Sequence, residues 1–205
     1  MTDFQIVELN GLADLDTVAL SLRAGQANVM YGFAAAFSFE GGHTLAPRLQ
    51  SLEFLEDYYA TNRDKIDHYQ PRGANSVRPI KDADVMQVYR SYAEDSSPEE
   101  RFGAGLFHFP TPAATHGATR YLAQVGWGTK WNRWSDALAF LPAGEVLHRG
   151  LPNYIETVLR WCDLIQPAHG TAGLSMLPDF GASVGDQSTL AFPGLARYPG
   201  FDWPD

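Results

Sequence analysis

The chain has 205 residues, 24 Asp and Glu against 15 Lys and Arg, and one cysteine, Cys162. A chain of this length buries enough apolar surface to fold without a disulfide or a structural metal, and a single cysteine has no internal partner. The formal charge of −9 opposes nucleic acid or an anionic membrane as ligand, because the phosphate contribution to affinity needs a basic surface; it suits a basic partner.

In chain order, 1–27 reads as an N-terminal extension, with a strand at 4–9 and a short helix at 16–22. The start lacks a basic region followed by a long apolar one, so no signal peptide is expected. Residues 28–39 form a long apolar strand carrying Met30, Phe33, Phe37 and Phe39. At under 18 residues it is too short to span a bilayer, which points to a cytoplasmic protein. After a turn at 40–43, Thr44 is placed to cap a helix over 45–65. Its apolar face is Leu45, Leu49, Leu52, Leu55 and Tyr59, and Arg48, Glu53, Glu56, Asp57 and Arg63 read as its solvated face. Residues 68–81, broken by Pro71, Gly73 and Pro79, read as loop or short edge strand. A second helix covers 82–93, and 94–100 is an acidic loop. A strand at 101–109 ends at Pro110, and 120–125 is a weaker strand. The Gly- and Trp-rich stretch 126–134 is a connector.

Next come a strand at 135–141 and the clearest amphipathic helix of the chain, 151–165. Its expected apolar stripe is Leu151, Tyr154, Ile155, Val158, Leu159, Cys162 and Ile165. Pro152 suits the first turn, and Pro167 ends the helix. Gly170 and Gly173 bracket a tight turn into a strand at 174–177. The tail 179–205 reads as a strap laid over the core. The expected architecture is α+β over 1–205 as a single domain. It has a mixed, mostly antiparallel sheet of five or six strands and two main helices, 44–65 and 151–165, on one face.

The search for chemistry finds no Gly-x-Ser-x-Gly elbow, no phosphate loop with its lysine and no metal-ligand spacing. The six histidines lie in separate segments. His108 and His116 flank a Pro-rich turn, and His169 sits beside Gly170; neither arrangement asks for a metal or a general base. Lys130, Trp131, Asn132, Arg133 and Trp134 interleave cations and aromatics as nucleic-acid platforms do, but one such cluster on an acidic chain favours cation–π packing. No catalytic residue, cofactor or metal is expected.

The stretches WSDALAFLP at 134–142, LIQPAHGTAGL at 164–174 and RYPGFD at 197–202 resemble the bacterial type VI secretion immunity family. That resemblance covers the last third of the chain and, by pattern, 28–66. It implies a protein that binds and neutralises a cognate secreted toxin, some of which resemble nucleases, without chemistry of its own. A small-molecule enzyme using His169, Asp136 or His108, and an adaptor that loads a toxin onto the secretion apparatus, stay open beside it, as does a homodimer. The expected partner is the toxin, with a basic surface, and neither nucleic acid nor membrane. The expected contact residues are Glu53, Glu56, Asp57, Glu94, Asp95, Glu99 and Glu100 for steering, with Tyr58, Tyr89 and Tyr92 as anchors.

Overall fold

A computed structural model describes residues 15–16, 19–20, 29–72, 77–81, 83–109 and 118–178. The strand expected at 4–9, the strap at 179–205 and His116 lie outside them. Among the described residues the elements are β1 (Ala19–Leu20), β2 (Val29–Glu40), α1 (Leu45–Thr61), β3 (His68–Tyr69), β4 (Arg78–Pro79), α2 (Val85–Asp95), β5 (Phe102–Phe107), β6 (Leu122–Trp127), β7 (Trp134–Leu141), α3 (Ala143–Arg149), α4 (Leu151–Ile165) and β8 (His169–Pro178).

All these strands join one sheet in the order β1-β2-β7-β6-β5-β3-β4, with β8 paired to β2. Every pairing is antiparallel. β2 is the organising strand: Ala34 faces Phe140 of β7 on one side and Gly173 of β8 on the other. Alternation along each strand separates two faces. Tyr31, Phe33, Ala35, Phe37 and Phe39 of β2 join Ala137, Ala139 and Leu141 of β7 and Val125 and Trp127 of β6 in one core. All four helices contribute to that same core. Phe54 of α1 meets Phe37 edge-on and also Trp161 of α4. On the opposite face Ala34, Phe107, Leu122, Leu138, Phe140 and Leu177 form a smaller cluster with Phe109. The fold is α+β with the helices on one face, and the sheet holds more strands than the expected five or six.

Several local expectations are corrected. In the 16–22 segment Ala19–Leu20 is a strand paired with β2 and not part of a helix. Leu15 is fully buried and Asp16 accepts from the backbone N–H groups of Ala143 and Gly144 at 2.7 Å, so this part of the expected extension belongs to the body and caps α3. Thr44 does not cap α1 with its side chain; its hydroxyl donates to the Gly41 carbonyl at 2.8 Å. α1 stops at Thr61, where Asn62 folds back on the Tyr58 carbonyl through both its backbone and side-chain nitrogens. The stretch 169–173 is not a turn but the first half of β8. Gly170 lies close under Phe37, where a Cβ would come within 3.0 Å of the ring, so the glycine answers to strand packing and not to turn geometry.

The largest correction concerns α4. Its inward row is Tyr154, Trp161 and Ile165, whereas Leu151, Ile155 and Leu159 are exposed. Tyr154 fixes the helix to the sheet by donating to the Ala34 carbonyl at 2.7 Å. The helix carries two apolar rows, and the indole of Trp161 decides which one faces in.

Candidate interaction surface

The acidic loop is built from inside. Arg48 of α1, expected on the solvated face, is buried. Its guanidinium donates to the carbonyls of Gly42 at 2.8 Å, Ala93 at 3.2 Å, Ser96 at 2.7 Å and Ser97 at 3.1 Å. Burial pulls its pKa below the ordinary guanidinium value, opposed by the Glu100 carboxylate; a guanidinium remains charged throughout the physiological range. One side chain thereby ties the end of α2 and the start of the 96–100 loop to α1. The guanidinium also lies 5.9 Å over the Trp127 ring, and the Trp127 indole N–H donates to Ser51 Oγ at 2.7 Å.

Around that anchor the carboxylates expected to steer a partner fall into four groups. Glu99 pairs with Lys130, and Glu100 pairs with Arg72 at 2.8 Å, so both help to hold the loop. Glu56 pairs with Arg90 of α2, on which Glu53 and Glu94 also act. Glu53, Glu94 and Asp95 are exposed. Asp57 turns away toward α4, accepting from both ends of the Arg160 guanidinium at 3.0 and 2.9 Å and from the Trp161 indole at 2.8 Å.

Two of the three expected tyrosine anchors lie inside the fold. Tyr58 and Tyr89 are fully buried. Tyr58 donates to the Phe140 carbonyl at 2.7 Å and Tyr89 to the Gly105 carbonyl at 2.6 Å, so neither reaches a partner on the surface of this fold. Both phenols are held above their ordinary pKa, chiefly by burial. Tyr92 is half-buried with its ring 6.1 Å from that of Tyr89.

The exposed aromatics lie elsewhere. The loop between β6 and β7 carries Trp131, 80% exposed, and Trp134, at the start of β7, is 53% exposed. This loop sits against the acidic loop: the Lys130 backbone N–H donates to the Pro98 carbonyl at 2.8 Å, and its ammonium meets Glu99. The connector and the acidic loop, separate in the chain, are one surface. The signal in the sequence was the cation–aromatic interleaving of 130–134, and Lys130 does stand 4.6 Å over the Trp131 ring.

The three residues of the enzyme reading are not brought together. His108 follows β5 beside Asp67, at 3.5 Å, while the His68 imidazole lies 2.7 Å from the same carboxylate. Asp136 of β7 and His169 of β8 both face Ser38 but from opposite sides of β2, at the far end of the sheet from Phe107. No group of three or more His, Cys, Asp or Glu side chains among the described residues is disposed to hold a metal. No helix among them is long and apolar enough to cross a membrane.

No protein-family model matches the chain, and no curated protein matches it in sequence. In fold it is similar to a solved structure described as the Pseudomonas aeruginosa T6SS protein PA0821, with a TM-score of 0.76 and 14% identity over 92% of this chain. The chain spans about half of that structure's length, 53%.

Proposed function

We propose that this chain is an immunity protein that binds and neutralises a cognate toxin delivered by the type VI secretion system. The observation that carries the reading is the fold it shares, across 92% of its length, with a T6SS protein. The motifs at 134–142 and 164–174 support it independently. They lie on β7 and on the end of α4 with β8, the strands that flank β2 on its two sides.

In this reading protection is by contact. The chain covers the toxin's substrate groove or holds it in an inactive arrangement, and the free energy comes from buried aromatic surface with electrostatics speeding encounter. A chain of charge −9 is suited to a toxin with a basic substrate groove, as a nuclease has. The protein would act in the compartment where such a toxin meets its substrate, the cytoplasm.

The test is to express the polypeptide encoded by the neighbouring gene, alone and with this chain, and to measure growth and complex formation. Rescue of growth together with a stable complex supports the reading. A complex without rescue makes the chain a loading adaptor instead. The absence of both binding and rescue overturns the proposal.

A further inference from the structure

We propose that the tip of the β6–β7 hairpin is the docking surface, that Trp131 is its anchor, and that the partner's facing surface is an apolar pocket with a basic rim. This rests on the immunity reading for the partner's class.

The first ground is that an exposed indole is held in place. Thr129 Oγ1 accepts from the backbone N–H groups of Trp131 at 3.3 Å and Asn132 at 3.1 Å. Asn132 Oδ1 accepts from the Trp134 N–H at 3.3 Å, and Ser135 Oγ from the Gly128 N–H at 3.0 Å. Gly128 is required: a Cβ there would come within 2.3 Å of the Asn132 carbonyl and 2.4 Å of the Trp134 carbonyl. The side chain is constrained as well. The Lys130 ammonium stands 4.6 Å over the Trp131 ring, and the same ammonium pairs with Glu99. Glu99 is on a loop that buried Arg48 fastens down. A contiguous set of polar contacts therefore fixes one aromatic ring in water.

The second ground is energetic. An indole buries about 150–250 Å² when covered, and at 80% exposure almost all of that area remains to be gained on binding. Because the ring and its turn are already ordered, little conformational entropy is lost when a partner closes over them. Trp, Tyr and Arg dominate interface energetics, and Trp134 and Arg133 lie beside Trp131, both exposed. The exposed row on α4, by contrast, is aliphatic: Leu151, Ile155 and Leu159.

The third ground sets the partner's charge. The two cationic clamps Lys130 and Arg72 are spent on Glu99 and Glu100. Of the remaining charges near the tip, Arg101 and Asp136 offset each other at 4.0 Å, while Glu40 (across from Trp134 in the sheet), Glu94 and Asp95 make no ion pair among the described residues, against Arg133 among the unpaired cations. The rim is net acidic, as is the chain, so the complementary surface is basic.

The test measures binding of the neighbouring gene's polypeptide to immobilised wild type, Trp131→Ala, the pair Glu94→Lys with Asp95→Lys, and the pair Leu151→Ala with Leu159→Ala. Each variant is first melted to establish that it folds as wild type does. Trp131→Ala is expected to weaken binding about a hundredfold, mostly through faster dissociation. The Glu94/Asp95 reversal is expected to slow association about tenfold at low salt, with the difference vanishing as salt rises. The α4 pair is expected to bind as wild type does. Trp131→Ala affinity within about twofold of wild type, where hot-spot losses are far larger, overturns the docking surface while leaving the immunity reading in place; so does a loss confined to the α4 pair. A wild-type chain that does not bind the polypeptide at all overturns the immunity reading, and this inference with it.

Discussion

Trp127 and Trp131 are four residues apart on one hairpin, and each lies under a cation, yet one is fully buried and the other 80% exposed. Trp127 ends β6 on the helix side of the sheet, where its indole N–H finds Ser51 and its face finds Arg48. Trp131 falls past the last rung, in a turn where Thr129 Oγ1 accepts from the Trp131 and Asn132 N–H groups and the Lys130 N–H reaches across to Pro98. The difference teaches what each ring is for. The first joins sheet to helix and contributes to stability. The second contributes almost nothing to the fold, although a set of contacts is devoted to holding it still.

If that division is right, the two ends of the hairpin should respond oppositely to mutation. Trp127→Ala should cost about 4 kcal/mol of stability in chemical denaturation, as a large buried aromatic truncated in a core does. Arg48→Met should cost about 3 kcal/mol, because it leaves buried carbonyls of residues 93–97 without a donor, and it should also loosen the 94–100 loop, read as faster amide exchange there. Alkaline pH should act on the helix side of the sheet. The phenols of Tyr58, Tyr89 and Tyr154 are held above their ordinary pKa, mainly by burial, so the folded state favours the neutral form. Their contribution is therefore complete below about pH 10, the ordinary tyrosine value, and is lost as pH rises above it. Phenolate absorbance should rise together with loss of the fold, not before it. The smallest effects should come from exposed residues: Trp131→Ala and Leu159→Asp should each change stability by no more than about 0.5 kcal/mol. A large loss at Leu159 would mean that the exposed row of α4 is covered.

How much of this was legible varies by residue. The β2 strand, the α4 helix and the one-sided packing of helices follow from apolar runs and periodicity, which act locally. The inward face of α4 was not legible, because the rows 151/155/159 and 154/158/161/165 are both apolar, and only contact with Phe54 and Tyr58 chooses between them. Arg48 was misplaced for a different reason. A charged side chain is solvated by default, and three of the four carbonyls that satisfy this one come from residues more than forty positions away. Tyr58 and Tyr89 failed as anchors because proximity in sequence to Asp57 or Glu94 does not put a ring on the same side of a helix. The composition of 126–134 did flag an aromatic–cation cluster, but not that it lies against the acidic loop, since the bridge from Lys130 to Pro98 and Glu99 is a tertiary contact.

The most direct measurement is amide exchange on the wild-type chain with and without the polypeptide of the neighbouring gene. A dock at the hairpin tip should slow exchange over 128–134 and 94–100 and leave 151–165 unchanged. Slowed exchange over 151–165 with none over 128–134 would contradict it and move the interface to the aliphatic row of α4.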